Sequence, residues 1–513
     1  MSSLPHNLYR ADQVRALDRA AIEQHNLPGS VLMERAGAAA FLAMQEAWPQ
    51  ARRIVVLCGT GNNGGDGFVL ARHAHQDGLE VTAYQVGDGG SIAGEAFAAL
   101  QRLQGAGVDP SPWESPTVTE DLARADVVVD ALLGTGLNGV VEGQWREVIE
   151  AVTAAGRPVL ALDIPSGLEA DTGQVLGVAV RAALTVTFIG LKRGLSTGAG
   201  PEYCGVLRFD DLRVPADVYA QQSPAAARLD LAHLQRALAR RRRDAHKGDF
   251  GHVLVIGGDH GMNGAARMAA EAALRVGAGR VSVATRGTHA ALLSTVRPEI
   301  MSHGIESAKA LGPLLERASV IAIGPGLGQS SWARELLGRV LEQTVPLVVD
   351  ADGLNLLAEE PARREQWVLT PHPGEAARLL GCTVGAVQDD RFAAAASLAE
   401  SFGGVCVLKG AGTLVHGGPH AGSEGPPVGV CMAGNPGMAT GGMGDVLTGI
   451  IAGLLGQGLG TVEAARLGVC LHAAAGDAAA KAGERGLLAG DLMSWVRRLA
   501  NPGDQSAPFA PAG

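Results

Sequence analysis

The stretch RRIVVLCGTGNNGGDGFVLARHAHQ, residues 52 to 76, decides the fold. It opens with a run of aliphatic, β-branched residues, closes with apolar residues at helical spacing, and holds the loop GTGNNGGDG, residues 59 to 67, between them. Gly59, Gly61 and Gly64 satisfy G-x-G-x-x-G, and the strand-turn-helix setting is that of a nucleotide-binding turn in a parallel sheet. Two features depart from a plain dinucleotide turn. The acid wanted about 20 residues on, at the end of the second strand, is missing, because that strand reads VTAYQVG and Asp88 lies beyond it. The loop also carries Asn62, Asn63 and Asp66; a carboxylate would repel a pyrophosphate, so Asp66 points either to chemistry or a cation, or to capping of the helix that follows.

Outward from this loop the chain alternates between strand-like and helix-like runs. RRIVVLC, EVTAYQV, ADVVVDALL, RPVLALDIP and LTVTFIG form a first series, and its strands end near Val214. Residues 215 to 235 lose strand character and read as a connection into a helix. A second series begins at GHVLVIGG and runs through GRVSVAT, ASVIAIGPG, VPLVVDADG, QWVLTPH and VCVLKGAGTLVHG. Such alternation predicts parallel sheets covered by helices on both faces. With 513 residues, two α/β domains in series are expected. The expected division is 1–216, a connection over 217–235, and 236–503, with 504–513 a disordered tail.

A net charge of -10 argues against broad nucleic-acid binding, since the phosphate backbone selects basic surfaces. The basic run Arg240 to Arg243 reads as cations at the end of the helical LDLAHLQRALA. The six cysteines form no CxxC, and several sit in apolar runs, so buried free thiols are expected. No apolar leader region stands at the N-terminus and no run approaches a membrane span, so a cytoplasmic protein with no membrane partner is expected.

Candidate chemistry collects at strand ends. VVVDALLGTGLNG places Asp130 at one and LALDIPSG places Asp163 and Ser166 at another, so that with Asn63 and Asp66 these oxygens are expected to converge in one crevice and suit a hard cation. GLSTG at 194 to 198 lacks the helix a nucleophile elbow needs, and His73 and His75 read as surface residues. The second series has no Walker loop. It offers GPGLG (324–328), DADGLN (350–355), TPHPGE (370–375), LKGAGT (408–413) and GNPGMATGGMGDVLTG (434–449). The last sets six glycines around Asp445 before a helical run. Free N–H groups at a helix start make an anion hole, and an acid inside it makes sense as a general base toward a hydroxyl being phosphorylated. A helix cap is the plainer alternative. Asp350 and Asp352, two apart, point different ways and make a poor glycosidase pair.

LMERAG, GTGNNGGDG, VDALLGTGLNG and DIPSG together resemble the NAD(P)HX epimerase family over roughly residues 10 to 215. The resemblance implies a Rossmann-like three-layer domain that binds hydrated NADH or NADPH with a potassium ion. By motif, Asn62, Asn63, Gly64, Gly65 and Asp66, then Gly134, Thr135, Gly136, Leu137, Asn138, Gly139 and Val140, and Asp163 would contact the hydrate. Asn63, Asp130 and Ser166 would ligate potassium, and Asp66 and Asp163 are the candidates for moving the proton. GPGLG, TPHPGE, LKGAGT and GGMGD resemble the ribokinase-like superfamily in its NAD(P)HX dehydratase branch, over about residues 230 to 500. That implies a second three-layer domain in which Ala266, Gly326, His372 and Asp445 contact the hydrate. Lys409, Gly410, Ala411, Gly412, Thr413 and Gly444 would contact ADP or ATP carrying magnesium, with Asp445 as base. The implied function is repair of both hydrates, epimerisation by the first domain and ADP-dependent dehydration of the S form by the second, in a homo-oligomer. A second reading keeps the fold but makes the C-terminal domain a kinase for a small-molecule hydroxyl, fused to a non-catalytic binding module.

Overall fold

The computed structural model describes residues 4–418 and 427–501 and divides into two compact units, Met1–Ala227 and Arg228–Gly513. The tail expected over 504–513 lies outside the described residues.

In the first unit, seven parallel strands lie in the order Ser111–Pro112, Glu80–Gln85, Arg53–Cys58, Val127–Ala131, Val159–Leu162, Leu184–Phe188, Val206–Asp210. The order reverses between Arg53–Cys58 and Val127–Ala131, so the loops leaving these two strands open the crevice in which doubly wound sheets bind ligands. One face is covered by the helices Ala11–His25, Gly29–Ala47, Asn62–Gln76 and Gly94–Gly105, the other by Val118–Arg124 and Gly143–Ala155, and each side has its own apolar cluster. The strands are buried almost throughout, as β-branched runs covered on both faces must be. The loop glycines permit close crossings. A Cβ on Gly59 would stand 1.9 Å from the Leu132 carbonyl oxygen, and one on Gly64 would stand 2.0 Å from that of Gly59.

The second unit has the strand order Met301–Gly304, Arg280–Thr285, His252–Ile256, Val320–Ile323, Leu347–Val349, Trp367–Leu369, Val405–Leu408, Thr413–Gly417, Val428–Cys431. Pairing is parallel up to Val405–Leu408 and antiparallel in the last two steps. The switch point falls between His252–Ile256 and Val320–Ile323. Above it lies Met443–Gly456, a helix apolar nearly all round and packed between the sheet, the helix Asn263–Val276 and the helix Thr461–Ala479.

Three expectations are corrected. LDLAHLQRALA forms only the four-residue helix Leu231–Leu234 and a short 3-10 turn, because Leu238 already leaves helical geometry, so Arg240 to Arg243 close no helix of their own; Arg241 instead donates to the Gly277 carbonyl at the end of Asn263–Val276 and to Gln457 Oε1 (3.0 Å) at the end of Met443–Gly456. The connecting region keeps one short strand, Ala226–Arg228, paired antiparallel with Asn7–Tyr9. His73 is partly buried, bonded through Nε2 to Glu34 at 2.8 Å and stacked on Phe41, while His75 is exposed. The thiols are all free, and five of the six are buried.

Candidate active sites

In the first unit the expected oxygens form two neighbouring groups instead of one. Asp130 is fully buried at the end of its strand and accepts from the Ser166 hydroxyl (2.6 Å), the Ser166 N–H (2.8 Å) and the Leu132 N–H (3.2 Å). Burial outweighs these bonds and pushes its carboxyl up to about 6. Asn63, buried in the first turn of Asn62–Gln76, donates through Nδ2 to the Leu133 carbonyl at 3.1 Å, and its Oδ1 is buried with no hydrogen-bond partner. An orphaned amide oxygen costs on the order of 1 to 3 kcal/mol unless something positive answers it. That oxygen, the Ser166 hydroxyl and a carboxylate held back from ionising fit a large monovalent cation, so Asn63, Asp130 and Ser166 suit potassium.

The second group surrounds Asp66. Asp163 sits at φ +65, a left-handed conformation in which a non-glycine residue is strained, at the end of Val159–Leu162. Its Oδ1 accepts from the Lys192 ammonium, the Phe188 N–H (3.2 Å) and the Thr187 hydroxyl (3.3 Å). Lys192 is 1% exposed and spends its remaining N–H groups on the Thr187 hydroxyl and the Phe188 carbonyl, both at 3.1 Å. The Asp66 carboxyl has no hydrogen-bond partner among the described residues. Burial first, then the charges of Asp163 and Asp18, push it well above the carboxylate range. Asp18, on Ala11–His25, is raised by burial and by Glu95 and Asp163. Gly134 lies against Asn63, while Gly136, Asn138, Gly139 and Val140 are exposed along the crevice rim.

Sequence reasoning missed Lys192 and Asp18. The sequence LKRG after LTVTFIG held the first signal, a lysine closing an otherwise apolar run.

In the second unit three strand-end loops are laced together. The Gly258 N–H donates to the Pro325 carbonyl (3.0 Å), the Asp259 N–H to that of Gly326 (2.6 Å), and the Gly328 N–H to Asp352 Oδ2 (2.8 Å). Asp350, 1% exposed, accepts from the Lys409 ammonium at 2.8 Å and the Thr448 hydroxyl at 2.8 Å, and Lys409 holds its carboxyl below the usual range against the effect of burial. Lys409 Nζ also lies 3.7 Å from Glu375, whose other duty is to accept from the His372 N–H (2.8 Å) as the cap of Pro373–Leu380. His372 is lowered by burial.

Asp445 stands in the first turn of Met443–Gly456, not at its N-cap, which is Gly442 at φ +93. Burial and the nearby Asp350 charge push its carboxyl up to about 7, with Lys409 pulling the other way. Its glycines divide their tasks. Gly444 lies against Lys409 Nζ and Asp350, so a Cβ there would meet them at 3.2 and 3.3 Å. Gly449 instead serves helix packing, its hypothetical Cβ falling 2.0 Å from the Ala269 carbonyl oxygen. Asp477, also missed, fastens the start of the loop by accepting from the Gly434 N–H (3.0 Å) and Asn435 Nδ2 (2.9 Å).

The turn 408–413 is shaped from beneath by Arg391, 1% exposed, which donates to the carbonyls of Leu408 (3.2 Å) and Lys409 (3.1 Å), while the Thr413 hydroxyl takes that of Gly410 (2.9 Å). Ala266 is fully buried beneath Gly258, and Gly326 turns at φ +58. Among the described residues no three His, Cys, Asp or Glu side chains form a metal-holding group.

Residues 29–194 match the family model described as YjeF-related protein N-terminus, and residues 253–498 that described as NAD(P)H-hydrate dehydratase. The chain is 51% identical to a bifunctional NAD(P)H-hydrate repair enzyme of Coxiella burnetii, over 96% of this chain and 99% of that one. It is 45% identical to that of Escherichia coli, over 98% and 95%, and 41% identical to that of Vibrio cholerae, over 97% and 99%. Both units and the acids they gather are therefore covered end to end by relatives of one kind, and the chain belongs to the family of bifunctional NAD(P)H-hydrate repair enzymes.

Proposed function

We propose that the first unit interconverts the R and S epimers of hydrated NADH and NADPH, and that the second returns the S epimer to NADH or NADPH using ADP. In the second reaction the hydroxyl of the hydrate is phosphorylated and phosphate is then eliminated. The observation that carries this reading is Asp445, a carboxyl pushed to about 7 in a helix's first turn beside the Lys409 ammonium. A base with that affinity is half ionised near neutrality and can accept a hydroxyl proton as phosphate arrives. The backbone N–H groups of the helix start, beside the Lys409 ammonium, favour the phosphates.

In the first unit Asn63, Asp130 and Ser166 would hold potassium, which when bound supplies positive charge beside the hydrate's polar groups. Asp66 and Asp163 would exchange protons with the substrate. No helix among the described residues is long and apolar enough to cross a membrane, and a cytoplasmic enzyme acting on soluble dinucleotides is consistent with that.

The test is to supply purified protein with separated hydrate epimers and ADP or ATP, and to follow the return of NADH absorbance. Recovery from the S form alone in Asp66→Ala, and loss of dehydration but not epimerisation in Asp445→Ala, are the expected results. A stable phosphorylated product in place of NADH would make the second unit a kinase and end the dehydratase reading.

A further inference from the structure

Asp66 and Asp163 share one crevice yet are treated in opposite ways. Asp163 receives an ammonium, an amide N–H and a hydroxyl, all donors, which is the bonding of an anion. Asp66 receives none, and the charges facing it are Asp163, Asp18 and Lys192, two acids against one cation. Asp18 in turn faces Glu95 and Asp163. Lys192 is buried with all three of its N–H groups engaged, so it cannot itself reach a substrate.

We infer that the two acids have fixed and different roles in epimerisation, Asp66 as proton donor and Asp163 as proton acceptor, with Lys192 and Asp18 as the positioning residues that keep them apart. The inference rests on the epimerase reading above. The hydrate carries its hydroxyl on the carbon bonded to the ring nitrogen. The Asp66 proton passes to that hydroxyl as the C–O bond breaks, water leaves, and the nitrogen lone pair closes a C=N bond. A second water adds to the other face, its proton goes to Asp163, and the C=N pair returns to nitrogen. Exchange through solvent moves the proton from Asp163 back to Asp66, so nothing is consumed. The opposed environments of the two carboxyls supply the acid and the base within one site.

The experiment is the pH profile of epimerisation, corrected for the spontaneous rate, in the full chain saturated with potassium. The alkaline limb reports Asp66. Lys192→Met removes the cation facing Asp66, so the alkaline limb moves to higher pH by about 1 to 3 units, and the loss of the ammonium that holds Asp163 lowers the rate by about tenfold or more. Lys192→Arg keeps the charge and leaves the limbs where they stand in the unaltered chain. Asp18→Asn removes a like charge from Asp66 and moves the alkaline limb the opposite way, to lower pH. Dehydratase activity of the second unit, measured on the same sample, reports that each variant is folded. An alkaline limb that stays in place in both Lys192→Met and Asp18→Asn, with only the rate scaled, overturns the division of roles. Absence of epimerisation by the unaltered chain would instead overturn the epimerase reading itself.

Discussion

Replacing Asp445 by Asn should abolish dehydration and, above neutral pH, make the protein more stable. The carboxyl has an ordinary value of 3.8 and is pushed to about 7 in the folded chain. A group raised on folding contributes stability that is fully present below its unfolded value and lost as pH rises through its folded value. The unfolded chain ionises Asp445 freely from about pH 4 upward, while the folded chain must hold it neutral or ionise it against Asp350. Three units of displacement correspond to a ceiling of about 4 kcal/mol, reached above pH 7. Because water reaches the partly buried carboxyl, about 2 kcal/mol is the working expectation. Asn has no charge to desolvate, so the gain of the variant should be near zero at pH 4 and grow to that figure by pH 8.5. Urea unfolding followed by tryptophan emission at the two pH values measures it, with the transition of the first unit as internal reference. A gain equal at both pH values, or a variant that still dehydrates the S hydrate, would refute the reasoning.

In the unaltered chain dehydratase kcat/KM should rise with pH through about 7, as Asp445 ionises, and Lys409→Met should shift that rise to higher pH, since the ammonium is what holds the carboxyl down; an unmoved profile counts against Asp445 as base. Ser166→Ala removes the hydroxyl donor from Asp130, leaving the backbone N–H in place, and should raise the potassium concentration giving half-maximal thermal protection by about tenfold or more. Gly449→Ala gains about 1 kcal/mol of helix propensity. It also drives a methyl to 2.0 Å from the Ala269 carbonyl oxygen, so a net loss of about 2 kcal/mol is expected in the urea midpoint of the second unit.

The doubly wound architecture was legible because its signals are local. Aliphatic runs such as RRIVVLC and GHVLVIGG mark buried parallel strands wherever they occur, and glycine-rich turns mark their ends. The same locality exposed Asp130 and Asp445, each within a residue or two of a strand or helix end, and Asp66, four residues into the helix that follows its loop. What stayed hidden depends on partners far apart in sequence. Lys192 gains its meaning from Asp163, 29 positions away, and Asp18 from a crevice built by three later elements. Two short strands, Met301–Gly304 and Val428–Cys431, are too brief and mixed to stand out from loops. The glycines around Asp445 were read as one anion hole, whereas Gly449 answers to a neighbouring helix, a demand no spacing within the motif reveals.

The two glycine-rich turns speak the same residue vocabulary and are electrically opposite. At 408–413 the carbonyls of Leu408, Lys409 and Gly410 are all answered by side chains, those of Arg391 and Thr413, so none of the three is left to receive a cation. At 59–67 an amide oxygen of Asn63 is left unanswered in the interior. One chain thus sorts its ligands by sign before size or shape enters. The second unit's turn offers a bare alkali cation no carbonyl, while the Asn63 oxygen of the first unit stays short of a partner until something positive arrives, so an alkali ion has one of the two turns to settle at and not both.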